Sequence, residues 1–379
     1  MASPLRADLF CRVIDNYGDI GVCWRLARRL AHGRGWQVRL WVDDLHSFAR
    51  LESSVDPTLA QQSIQGLDII HWTDVPPDLT PGDAVIETFA CDPPAQFVAR
   101  MTPGKQAWIN LEYLSAEPWV ESCHGLPSLQ ANGLSKHFFF PGFTHATGGL
   151  LREPTLLAER NAWQADAAAQ TALLTRLGVP QAAIQAWQDG ARLCTLFCYP
   201  DAPIDALLHS LSQASPAVVL VPHGVTPSLT EGQHGRVQVV RIPFMPQPDF
   251  DRLLWSADLN LVRGEDSFVR ALWAARPMLW HIYAQEQNAH LDKLNAWLSR
   301  YSPPGAVASL MQAWNQADDA TDFASLLITA LEPNAWRAWR DHACIWSNNL
   351  ARQTDLADAL ADFCEPLIQP RATSSTATR

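Results

Sequence analysis

Apolar and polar runs divide the chain into two strand–helix series separated by a helical stretch. Leu9–Ile14 reads as a buried strand, and Ile20–Ala31 repeats its apolar positions at helical spacing. Val38–Val42, Ile69–Trp72, Ala84–Phe89, Ala107–Leu111 and the shorter Phe138–Phe140 follow as strands, with polar or helical segments between them. From Arg152 to about Gln188 the composition shifts to Ala, Gln and Leu, with Pro154 and Pro180 as breaks. A second series then runs through Arg192–Tyr199, Ala217–Pro222, Val237–Phe244, Asp258–Val262 and Met278–Ile282. Ser267–Ala275 reads as a helix ended by Pro277, and Glu286–Tyr301 and Ala335–Phe363 as long helices. Strands alternating with helices predict an α/β fold of two doubly wound, Rossmann-like domains with parallel sheets facing a central cleft. The expected divisions are 1–151, a helical connector 152–188, a second domain 189–345, a C-terminal helix 346–368 packing back toward the first domain, and a disordered polar tail 369–379.

Composition narrows the partners. The chain has 379 residues, 28 Lys+Arg and 39 Asp+Glu, a net charge of −11 that argues against a nucleic-acid binder relying on bulk charge. No apolar run approaches the roughly 18 residues of a membrane span, and no secretory h-region opens the chain, so no membrane association is expected. The 8 cysteines form no C-x-x-C pair and read as reduced thiols of a cytoplasmic protein. Cys194 and Cys198 are expected to share one strand face. Twelve histidines show no metal-binding spacing, and 16 tryptophans, Trp24, Trp41, Trp108 and Trp273 among them, fall where core packing explains them.

Ligands of doubly wound sheets sit outside the carboxyl ends of the strands, and three stretches of candidate chemistry lie there. Asp15-Asn16-Tyr17-Gly18-Asp19 follows the first strand. A capping aspartate plus a turn aspartate explains it blandly, but two acids around a glycine at the first switch-point loop favour a site. It is not the G-x-G-x-x-G dinucleotide fingerprint. Val262–Arg270, V-R-G-E-D-S-F-V-R, turns from strand into helix at Gly264, with Asp266 or Ser267 able to cap. The free N–H groups at Ser267 and Phe268, the helix dipole and Arg263 suit a diphosphate, and Glu265 can accept from sugar hydroxyls. A capping box beside a surface arginine is the competing reading. Phe197 and Tyr199 alternate at one strand end, and I-P-F-M-P-Q-P-D-F, Ile242–Phe250, is a proline-stiffened loop. Such aromatics are commonly core, yet together they suit a flat base.

These stretches, with V-I-E-T-F-A-C-D, W-I-N-L-E-Y-L-S-A-E, I-P-F-M-P-Q-P-D-F-D and R-G-E-D-S-F-V-R-A, resemble the EarP family of bacterial protein-arginine rhamnosyltransferases, in order along nearly the whole chain. Tyr17 is a Phe/Tyr variation within the first motif. The resemblance implies a GT-B glycosyltransferase that moves L-rhamnose, with inversion, from dTDP-β-L-rhamnose to an arginine of translation elongation factor P. The modified factor then rescues ribosomes stalled at polyproline. Neither a metal nor a cofactor is implied. By resemblance Asp19 is the catalytic carboxylate and Asp15 a supporting acid, with Asn16, Tyr17 and Gly18 supporting the loop. Phe197, Tyr199, Gln247 and Phe250 enclose thymine and deoxyribose; Arg263, Glu265, Asp266 and Ser267 hold sugar and diphosphate.

A guanidinium is a poor nucleophile because its lone pairs are delocalised, and two carboxylates could localise its charge and take a proton. Two other readings stand beside this one: a nucleotide-sugar epimerase or hydrolase of the same architecture, and a non-enzymatic nucleotide-binding module. The paired acids speak against the last, since base and diphosphate binding need neither.

Overall fold

The computed structural model describes residues 3–15, 17–75, 77–316 and 320–368; the predicted tail 369–379 lies outside them. The strands are β1 (Arg6–Cys11), β2 (Gln37–Val42), β3 (Gln61–Ile64), β4 (Leu67–His71), β5 (Ala84–Thr88), β6 (Ala107–Leu111), β7 (Pro127–Leu129), β8 (Ser135–Phe139), β9 (Arg192–Leu196), β10 (Ala217–Pro222), β11 (Gly232–His234), β12 (Val237–Ile242), β13 (Leu259–Arg263) and β14 (Met278–His281). They form an eight-stranded sheet ordered β3-β4-β2-β1-β5-β6-β8-β7 and a six-stranded sheet ordered β11-β12-β10-β9-β13-β14. Every pairing is parallel except the edge strands β3, β7 and β11, which pair antiparallel with their neighbours. These three antiparallel strands escape the sequence pattern because they are short and half-exposed, so no apolar run marks them.

The strands nearest the cleft end earlier than their apolar runs suggest, because the backbone leaves the ladder to serve side chains. β1 stops at Cys11, not Ile14: Val13 N–H donates to Asp43 Oδ1 at 2.9 Å and Ile14 N–H to Asp19 Oδ2 at 2.8 Å. β9 stops at Leu196, so Phe197, Cys198 and Tyr199 lie in the loop beyond it, and Cys198 does not share a strand with Cys194. The helix after β1 begins at Gly18, two residues early, and runs to Arg28 before a π-turn over Arg29–Gly33.

Helices Leu156–Ala165, Ala167–Arg176 and Gln181–Gln188 form the connecting stretch. Leu173, Leu174 and Ile184 of the last two pack against Leu193, Val218 and Val240 of the second sheet. The expected helix Ala335–Phe363 is two, Pro333–Leu350 and Leu356–Cys364. Asp355 starts the second by accepting Ala357 N–H at 2.9 Å. That last helix returns to the first sheet, where Leu356, Leu360 and Cys364 join the core of Leu9, Ile86 and Phe139. Trp24, Trp41, Trp108 and Trp273 are all buried.

Buried ion pairs join the two halves beneath the cleft. Arg25, in the helix after β1, grips both oxygens of Asp251 at 2.9 and 3.0 Å, and its Nε meets Asp266 Oδ1 at 3.0 Å. Arg270 takes the same Asp251 carboxylate at 2.9 and 2.7 Å and reaches Glu153 at 2.8 Å.

Candidate active site

Two chambers lie at the carboxyl ends of the two sheets and meet at Asp15 and Gly18, which line both. The first encloses about 630 Å³ open to solvent and gathers Asp15, Tyr17, Gly18, Phe197, Gln247, Phe250, Arg263, Asp266 and Ser267 from the sequence-predicted set. Leu51, Pro222, Phe244 and Met245 complete its wall. The second encloses about 770 Å³ and contains Asp15, Gly18, Asp19 and Glu265 together with Phe89, Tyr113, Tyr283 and Lys293. Asn16 lies outside the described residues.

The first chamber carries apolar rings and an unneutralised cation. Phe197 and Phe250 meet edge to face at 5.7 Å. The Arg263 guanidinium lies over Phe197 at 4.6 Å and over Tyr199 at 5.0 Å, donates to Cys198 O at 3.1 Å, and pairs with no carboxylate among the described residues. Gly264 turns the chain there with φ 60°, and the helix Asp266–Ala274 starts without a side-chain cap, with Asp266 and Ser267 of its first turn lining the chamber. Neither expected cap forms. The Ser267 hydroxyl donates back to Arg263 O, and the partly buried Asp266 carboxylate is taken by Arg25. Gln247 is likewise engaged between the halves, donating to Gly21 O at 3.0 Å and accepting from Arg28 at 2.8 Å.

The second chamber is acidic. Asp19 is not a helix cap: it sits in the first turn, 4% exposed, and its Oδ2 accepts the N–H groups of Ile14 and Asp15 at 2.8 and 2.9 Å. Burial raises its carboxyl pKa against the lowering effect of those two bonds, and Asp15 adds repulsion. Glu265 reaches across to accept Leu114 N–H at 3.0 Å; burial, with Asp19 and Asp15 nearby, pushes it up to about 8. The sequence reading set Glu265 beside the sugar and diphosphate, but the turn at Gly264 directs it into the acidic chamber. Tyr113, stacked on Phe89 at 4.3 Å, and Lys293, 5.6 Å from the Tyr113 ring, form the opposite wall. Sequence reasoning missed both. Tyr113 stood at a strand end within W-I-N-L-E-Y; Lys293, mid-helix, gave no signal.

Tyr199 lines neither chamber. It lies between them, its hydroxyl donating to Asp15 Oδ2 at 2.8 Å. Tyr17 lines the first chamber, packing on Phe244 at 4.7 Å and accepting from Arg50 at 3.1 Å.

The sequence model of one family, described as "Elongation-Factor P (EF-P) rhamnosyltransferase EarP", matches residues 7–365. The chain belongs to the EarP family. A protein-arginine rhamnosyltransferase of Pseudomonas putida is 47% identical, over 94% of this chain and 97% of that protein. Its counterpart in Pseudomonas aeruginosa is 44% identical, over 94% and 98%. A solved structure concerned with EarP-mediated arginine glycosylation of translation elongation factor EF-P aligns with a TM-score of 0.64 at 35% identity, covering 95% of this chain and 98% of that one. A UDP-glucose:anthocyanidin 3-O-glucosyltransferase shares the fold alone, with a TM-score of 0.52 at 10% identity over 97% and 99%. This EarP-family chain is therefore a glycosyltransferase of GT-B architecture, its two sheets facing the cleft that holds both chambers.

Proposed function

We propose that the chain transfers L-rhamnose from dTDP-β-L-rhamnose to an arginine side chain of translation elongation factor P, a cytoplasmic acceptor, with inversion at the anomeric carbon. The observation that carries this reading is the contrast of chemistry on either side of Asp15: an arginine with no carboxylate partner among the described residues and an uncapped helix start on one side, and the acids Asp19 and Glu265 on the other. A nucleoside diphosphate suits the first, with its base against Phe197 and Phe250 and its phosphates toward Arg263 and the N–H groups after Glu265. A guanidinium suits the second, where Asp19 and Asp15 supply charge-assisted acceptors, the protonated Glu265 keeps a carbonyl oxygen able to accept, and Tyr113 offers a flat face.

The chemistry balances across the junction. A guanidine nitrogen forms the new bond to the anomeric carbon, the bond from that carbon to the phosphate oxygen breaks, and dTDP leaves with the electron pair. The nitrogen gives up one proton, and Asp19 is the acceptor assigned to it. Arg263 and the helix start lie where charge grows on the leaving diphosphate. Asp266 and Gln247 line the first chamber and also join the two halves, through Arg25 for Asp266 and through Arg28 and Gly21 for Gln247.

The test is the intact mass of elongation factor P after incubation with dTDP-rhamnose and either this protein or Asp19→Asn. The parent should add one deoxyhexose. The amide of Asp19→Asn can still accept from Ile14 and Asp15, so the variant should fold and bind donor but transfer at least about a hundredfold more slowly. Release of dTDP at equal rates with and without the acceptor would instead establish a hydrolase.

A further inference from the structure

The Asp15 carboxylate is steered from the opposite half of the molecule. Among the described residues its one side-chain hydrogen bond is from the Tyr199 hydroxyl, at 2.8 Å. The same oxygen lies so close to Gly264 that a Cβ built there would approach it to 2.8 Å, and one built at Gly18 would approach to 3.1 Å. Two glycines and a phenol thus form a socket for Asp15 Oδ2.

Tyr199 is itself fixed. Its backbone N–H donates to His281 Nδ1 at 3.2 Å, and its ring packs edge-on against His281 at 5.3 Å and Tyr283 at 5.6 Å. Burial pulls His281 down to about 4, keeping it neutral and able to accept that bond at Nδ1. Burial, then the charge of Asp15, pushes the phenol far above its ordinary range, so the hydroxyl stays a donor.

We infer that Tyr199 is a positioning residue for Asp15: its hydroxyl places that carboxylate at the junction of the chambers when the halves are together. Asp19 takes its place from its own loop, through two N–H groups four and five residues away, whereas Asp15 takes its place from a residue of the loop that follows β9 in the second sheet. Approach of the two sheets and placement of the second acid are then one event. The catalytic part of this inference rests on the proposed transfer; the contact itself does not.

Tyr199→Phe isolates the hydroxyl, since it keeps the ring beneath Arg263. It should leave dTDP affinity by calorimetry within about twofold, and lower the single-turnover transfer rate at saturating donor about tenfold or more, the scale of one lost hydrogen bond to a charged group. In an Asp15→Ala background the same change should cost less than about twofold, because partners in one contact are non-additive. Thermal unfolding of the same four proteins, with no acceptor present, should show the same non-additivity. Additive losses of melting temperature would overturn the inference whether or not the parent transfers rhamnose. So would a Tyr199→Phe variant that binds dTDP tenfold more weakly yet keeps its saturated rate, for that is a nucleotide wall. Coupled melting temperatures in a parent that transfers nothing would keep the contact and remove the proposed function.

Discussion

Glu265 carries the most legible electrostatic consequence of the site. Its folded pKa, about 8 against an ordinary 4.5, means the folded protein holds a proton there that the unfolded chain gives up. Stability linked to this proton is present in full below about pH 4.5 and is lost as pH rises toward 8, because the unfolded state binds fewer protons across that window. Glu265→Gln, neutral throughout, should remove this slope: the melting temperature of the parent relative to the variant should fall between pH 5 and pH 8. Parallel curves would show that Glu265 is already ionised at pH 5. The sequence marked this residue as functional, since it stands in a strand-to-helix turn with arginine and aspartate. It could not show which chamber the side chain enters. Gly264 at φ 60° and the Leu114 N–H across the cleft decide that, and the latter lies 151 positions away in the chain.

Elements were legible where they bury one face and obscure where they pair across the molecule. The helix Gly18–Arg28 announces itself by apolar spacing, yet its Arg25 reads as an ordinary polar position. In the fold that guanidinium is 2% exposed and binds Asp251, 226 positions away, which it shares with Arg270. No local pattern reports such a partner. The arrangement is demanding, because two buried guanidinium groups depend on one carboxylate for two bonds each. Replacing a buried ion pair whole can be neutral, but removing one member leaves charge uncompensated and costs about 3–5 kcal/mol. Asp251→Ala should therefore lower the melting temperature by on the order of 10 °C, although the residue lines neither chamber. A variant melting with the parent would mean that Glu153 and Asp266 suffice for both arginines.

The two-sheet architecture was readable from alternating runs of period two and period 3.6, and the carboxyl-end rule points to the two loops that line the chambers. What the runs could not report is how the chain end serves the first sheet. Leu356, Ala357, Leu360, Ala361 and Cys364 are buried there, and Arg29 binds Asp355 at 2.7 Å and Asp358 at 3.1 Å. Each buried leucine contributes about 1.5–3 kcal/mol, so the helix accounts for much of a domain's usual stability margin of roughly 5–15 kcal/mol. The first chamber, proposed above for dTDP, is furnished chiefly by the second sheet and its loops, whereas Asp15 and Asp19 hang on the first. A chain ending at Leu350 should therefore lose transfer and one unfolding transition while still binding dTDP by calorimetry. Leu360→Ala in the full chain, a milder version, should cost about 2–5 kcal/mol and weaken transfer only near its lowered melting temperature. If the shortened chain transfers rhamnose at the parent rate, the helix is an appendage and the first sheet holds its acids in place unaided.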